Sequence, residues 1–161
     1  MKPILLVAAL AALASPALAQ SAGQIAQAKA GANCPGCNLV QADLSGVELS
    51  GRNYGKARLR QSDLTMAVLG RSNFAGADLR DVNANAGVFT SSNYAGADMT
   101  NSSWVGAHFG GANLRGAKLS GANVSGAEMA GASGLTQSQL NAACGDAATT
   151  LPGGLTVPAC R

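Results

Sequence analysis

The residues of this 161-residue chain with the most chemistry open to them are its four cysteines. Cys34 and Cys37 enclose Pro35-Gly36 in a C-x-x-C spacing. Such a pair exchanges disulfides when one thiol has a lowered pKa, typically where a helix follows a strand. No strand and helix pattern frames it here, and Asn38 stands where a haem-attachment motif would need His. Pro-Gly favours a type II turn, which would let Cys34 and Cys37 pair as a structural link. Cys144 and Cys160 belong to the opposite end of the chain, so the four do not make the local ligand set that zinc takes. They most simply pair with each other, one of three connectivities open to four cysteines. A thiol-disulfide redox protein using Cys34 and Cys37 stands as the competing reading. No metal or other cofactor is expected.

The other reactive side chains read as parts of a pattern. His108 has no nucleophile placed around it by spacing. Asp43, Asp63, Asp78, Asp98 and Glu128 recur at one phase of a five-residue period, which marks a scaffold position and not a catalytic carboxylate pair. Lys56, Arg58, Arg60, Arg71 and Arg80, with Arg52, concentrate positive charge, diluted by Asp63, Asp78 and Asp81. They form the candidate surface for an acidic protein or an anionic envelope component.

The start of the chain reads as a secretory signal over 1–19. Lys2 gives the positive start, Ile4 to Leu13 the apolar run, and Ala17-Leu18-Ala19 the small residues before a cut near Ala19/Gln20. The run is too short to span a bilayer, so no transmembrane segment is expected once the signal is removed. A periplasmic or secreted location follows, and an oxidising compartment suits two disulfides. With Lys2 set aside, ten Lys and Arg face eight Asp and Glu, a formal +2 that points to no nucleic-acid partner.

What positions these residues is a period of five that runs without a slip from about Cys34 to Met129. Its core position reads Leu39, Leu44, Leu49, Tyr54, Leu59, Leu64, Leu69, Phe74 and onward to Met129, and it holds every aromatic residue of the chain, Tyr94 and Trp104 included. Two residues earlier the side chain is small, as at Ala57, Ser72 and Ala97, with Arg52 the exception. Two residues later Gly is frequent, as at Gly76 and Gly96, giving backbone freedom for a corner. Neither helical nor strand periodicity fits. The chain must turn once per unit.

Units such as Ala77-Asp78-Leu79, Ala112-Asn113-Leu114 and Ala122-Asn123-Val124-Ser125-Gly126 resemble the A(D/N)LxX signature of the pentapeptide-repeat family. The resemblance implies an all-β fold, a right-handed quadrilateral β-helix with four units per coil and, here, about five coils. It also implies end-to-end dimers, so a homodimer is considered, although the cysteine-closed tail would stand in the way. Some members protect DNA gyrase by presenting an acidic, DNA-like rod. Export and a +2 charge argue against that topoisomerase-binding role here.

A twenty-residue coil makes a checkable statement, since residues twenty apart should stack. Asn33, Asn53, Asn73, Asn93 and Asn113 form one such column, expected to bond as an amide ladder. Tyr54, Phe74 and Tyr94 stack beside it as core. Asn38, Arg58, Asp78, Asp98 and Lys118 form the next column, which sets Arg58 against Asp78 and Asp98 against Lys118. Trp104 falls in a column with Ala84, whose missing volume it is expected to use.

The ends need covers. Ser21 to Ala30 is helix-compatible, with Ser21 as N-cap and Gly31 as stop. Thr136-Gln137-Ser138-Gln139 fits a capping box opening a helix through Leu140 and Cys144 to Gly145. The divisions expected are a signal at 1–19, an N-terminal cap at 20–31, the repeat at 32–133 and a disulfide-closed cap at 134–161. Arg52, inward by phase, is expected to distort the coil near Gly51 to Gly55. The function expected is a non-enzymatic scaffold.

Overall fold

A chain that buries one large and one small side chain in every five residues must place both on the same side and then turn. The structure, a computed structural model, describes residues 16–161, so the apolar run at Ile4 to Leu13 lies outside the described residues. The repeat forms a four-sided coil. Each side is held to the next coil by a one-residue parallel bridge to the residue twenty positions on, as in Asn53 to Asn73, Arg58 to Asp78, Asp63 to Asn83 and Val68 to Val88. The first face carries the column Asn53, Asn73, Asn93, Asn113, Ser133, and the second Asn38, Arg58, Asp78, Asp98, Lys118. The third carries Asp43, Asp63, Asn83, Ser103, Asn123, Cys144, and the fourth Glu48, Val68, Val88, His108, Glu128, Thr150.

Every large core residue from Leu39 to Met129 is buried except Leu49, which is partly so. Tyr54, Phe74 and Tyr94 stack with ring centroids 5.2 and 5.1 Å apart. Trp104 does not extend that stack. It meets Tyr94 edge-on at 5.7 Å and is also flanked by Phe89 and Phe109. The unit at Ala84 to Gly87 is regular, and Phe89 lies so close over Gly87 that a Cβ there would come within 2.5 Å of its ring. The corners need a left-handed residue whatever its type. Gly76 and Gly96 supply it at φ 64° and 66°, but Met66, Arg71 and Asn101 adopt φ 56° to 58° at equivalent corners.

The first helix, α1, runs Pro16–Lys29. It begins earlier than a Ser21 cap would allow, because Pro16 has the φ of a first helical residue and Ala17 to Gln20 favour the helix. Its end is as read: Gly31 has φ 81°, and Gly31 and Ala32 N–H groups return to Ala28 and Gln27 carbonyls at 3.0 Å, a Schellman ending. The second helix, α2, spans Gln137–Asn141 with the Thr136/Gln139 capping box formed. It stops before Cys144, because Cys144 rejoins the ladder on the third face: its N–H donates to Ala122 O at 2.9 Å and its carbonyl accepts from Val124 at 2.8 Å.

Arg52 does not distort its coil. The bonds on either side of it are regular, Tyr54 N to Asn73 O at 2.7 Å and Asn73 N to Arg52 O at 2.8 Å. Ala32 occupies the position below it, and the half-buried side chain escapes beside Gly31 at the C-terminal end of α1. Keeping the ladder costs less than breaking it when a long side chain can carry its charge to an edge. The cost that remains is a buried Arg52 Nε without a partner among the described residues.

Candidate functional site

The repeated acids have structural work. Asp and Asn before the core residue accept a hydrogen bond from the N–H two positions on, closing each corner as an Asx turn: Asp43 from Ser45, Asp63 from Thr65, Asp78 from Arg80, Asp98 from Thr100. Asn53, Asn73, Asn93 and Asn113 do the same. That shared geometry explains why either residue type serves in the signature. Hydrogen bonds from the Ser45 hydroxyl and N–H, with Lys29 nearby, hold the Asp43 carboxyl down at about 2. The Arg80 guanidinium lowers Asp78, while burial pushes Asp98 upward and is outweighed by Thr100 and Lys118. Asp43, Asp78 and Asp98 are thus held ionised, opposite to what a general acid needs.

The cysteines are likewise consumed. Cys34 pairs with Cys37 and Cys144 with Cys160, with Cα atoms 5.3 and 4.8 Å apart. Cys34 is 1% exposed, below Tyr54 in the core column, and the Gln24 side chain of α1 accepts from Asn38 N–H beside it at 2.6 Å. The asparagine ladder runs as amide-to-amide bonds from Asn53 to Asn113, at 3.0, 3.3 and 3.1 Å. Asn33 departs from it, its oxygen accepting from Asn53 backbone N–H at 2.9 Å, because the chain has only just left α1 there. Among the described residues no group of three or more His, Cys, Asp or Glu is arranged to hold a metal ion.

The basic cluster is divided by the fold. Lys56, Arg58, Arg60 and Arg80 share the second face and its edges, and the Lys56 stem reaches over Gly76 of the next coil. Arg71 sits at a corner in register with Gly51 and Ser91, diagonally across the coil from Arg60 and Arg80 and one face away from Lys56. Counting modulo twenty would have separated it. Two of the four are paired: Arg80 takes Asp78 at 2.7 Å, and Arg60 takes Asp81 at 3.3 Å. Arg80 therefore displaces Arg58 as the partner of Asp78, since a neighbour two residues along one corner can reach the carboxylate with two nitrogens. The expected Asp98–Lys118 pair is present at 3.5 Å. Among the described residues Lys56 and Arg58 make no ion pair and remain the open charges of this face.

At the C-terminal end of the same face lies a groove the sequence reading missed. It has a volume of about 290 Å³ and is bordered by Ala117, Lys118, Leu119 and Ser120 on one side and Ser138 and Ala142 on the other. The signal for it was the loss of twenty-residue spacing after Ser133.

The family model described as pentapeptide repeats matches in 8 copies over residues 30–51, 56–90 and 92–131. Among solved structures, the pentapeptide repeat protein Rfr23 from the cyanobacterium Cyanothece 51142 is 26% identical with a TM-score of 0.52, over 68% of this chain and 64% of that one. HetL, involved in heterocyst differentiation regulation in Nostoc sp. strain PCC 7120, is 26% identical with a TM-score of 0.45, over 80% and 59%. QnrB1, a plasmid-mediated fluoroquinolone resistance protein, is 20% identical with a TM-score of 0.48, over 76% and 78%. The chain thus spans less than two thirds of the first two. No curated protein matches. The likeness to Rfr23 implies a right-handed quadrilateral β-helix.

Proposed function

The chain belongs to the pentapeptide-repeat family, and from that premise we propose that it is an exported, non-enzymatic scaffold that binds an acidic protein or an anionic envelope component through its second face. The observation that carries the reading is the division of labour among its polar residues. Asp and Asn side chains close corners, cysteines are paired, and among the described residues Lys56 and Arg58 of the second face have no acidic partner. About five coils, covered by α1 at one end and by α2 with the Cys144–Cys160 loop at the other, make a rigid rod on which such charges keep fixed spacing. Two disulfides suit the periplasm or the medium. Among the described residues no helix is long and apolar enough to cross a membrane. Thiol exchange at Cys34 would first require the buried sulfur to be uncovered.

The test compares the mature chain with a Lys56→Glu/Arg58→Glu variant for binding to phosphatidylglycerol vesicles and to a cell-envelope fraction. Binding that weakens with salt and is lost in the variant supports the reading, because exposed charges act within a Debye length of about 10 Å at 0.1 M salt. Equal binding by both proteins would remove the second face from the function. Sequencing of the exported chain is expected to begin at Gln20.

A further inference from the structure

The second face is one rung shorter than its neighbours at the C-terminal end. Beyond Asn113, Asn123 and Glu128 the other three faces add bridges to Ser133, Cys144 and Thr150, whereas beyond Lys118 there is none. The chain leaves the ladder at Gly134, passes through α2 and returns only at the third face. Besides the exposed Gly116 N–H, two backbone groups are stranded by that detour. One is the Ala117 carbonyl, which accepts from the Gln139 side-chain amide at 2.8 Å. The other is the Leu119 N–H. In the coils below, Leu39, Leu59, Leu79 and Met99 each donate to the carbonyl of the next coil, at 2.7 to 2.9 Å. Among the described residues Leu119 has no such partner, although the residue is only 1% exposed.

That orphan donor belongs to a residue lining the groove of about 290 Å³ between the end of the second face and α2. An added strand running through would need to meet both a free N–H and a free C=O. Here the C=O is already answered, so the groove asks for an acceptor alone. Ser120 and Ser138, whose hydroxyls can donate, also border it, as does Lys118, which holds Asp98 at 3.5 Å; Ala142 gives it an exposed apolar side, with Ala117 and Leu119 buried at its floor. A carboxylate joined to an aliphatic side chain answers both halves, and an extended peptide end presents the two side by side. We infer that this groove captures the free C-terminal carboxylate of a partner polypeptide ending in an aliphatic residue. The site is separate from Lys56 and Arg58 and does not depend on their role.

The experiment titrates the ¹⁵N-labelled mature chain with acetyl-Ala-Ala-Ala-Leu bearing a free carboxylate, with its C-terminal amide, and with octanoate. The expected result is a saturable shift of the Leu119 amide resonance with the acid peptide and none with the amide. Filling the groove with Ala142→Phe should abolish it, and Lys118→Glu should weaken it by about threefold, the effect of an exposed charge. Retention of every distant amide shift shows that these variants remain folded. An unshifted Leu119 resonance, an equal response to the amidated peptide, or a response to octanoate alone would each overturn the assignment.

Discussion

Replacing Asn73 by Ala tests whether the asparagine column ties coils together or merely closes its own corners. The Asn73 oxygen accepts from Ala75 N–H at 3.1 Å and from Asn93 Nδ2 at 3.3 Å, and its own Nδ2 donates to Asn53 at 3.0 Å. Asn113 makes two bonds of this kind, to Asn93 at 3.1 Å and from Arg115 N–H at 3.1 Å. Among the described residues the Asn123 side chain makes only its corner bond, from Ser125 N–H at 2.9 Å. At a net value of about 1 kcal/mol per bond, Asn123→Ala, Asn113→Ala and Asn73→Ala should cost about 1, 2 and 3 kcal/mol. Urea unfolding followed by circular dichroism reads the series from the shift in midpoint at constant slope. If the slope changes, the stacked coils no longer unfold together, and amide hydrogen exchange at Ala75, Arg115 and Ser125 gives the same comparison locally. Three equal losses of about 1 kcal/mol would refute the reasoning, because only the corner bond would then matter.

Three further outcomes are expected. The fully buried Tyr94 hydroxyl has no hydrogen-bond partner among the described residues, and Phe74 already occupies the neighbouring position in its stack, so Tyr94→Phe should be neutral or stabilising by up to about 1 kcal/mol in the same urea assay. A loss above that value would show a hidden partner for the hydroxyl. Replacing Cys144 and Cys160 together by Ala should cost about 3 kcal/mol, the chain-entropy effect of opening their loop, while four alkylated thiols after reduction and none before would register both disulfides by mass. The Asp43 carboxyl, held down at about 2, is more acidic folded than unfolded, so its contribution is present above the unfolded value near 4 and fades as pH falls through about 2. Asp43→Asn keeps an oxygen for Ser45 N–H and should flatten that part of the melting-temperature profile between pH 5 and 2; an unchanged acid slope would place the sensitivity elsewhere.

The register was legible because it rests on a local rule repeated without a slip. A large residue, a small one two places earlier and an Asp or Asn between them fix the inside, the outside and the corner within five residues. Stacking then follows by counting twenties. Counting twenties gives the Tyr54–Phe74–Tyr94 stack, the amide column from Asn53 to Asn113 and the Asp98–Lys118 pair, all of which the structure contains. The capping box at Thr136 was legible too, because it depends on residues only three apart.

What counting left undecided lies where long side chains choose among partners or where the repeat ends. Asp78 could face Arg58 across a rung or Arg80 along its corner, and two-point contact at 2.7 Å decides for Arg80. Arg52 could strain its coil or leave it, and the space beside Gly31 at the end of α1 decides that it leaves. The short second face exists only because α2 takes the place of a rung, leaving Leu119 N–H buried and Ala117 answered by a side chain. Periodicity by itself determines the backbone course, since each coil repeats the bonds of the last. The exits, the ion pairs and the groove are decided by tertiary structure, because each is a competition between groups far apart in sequence.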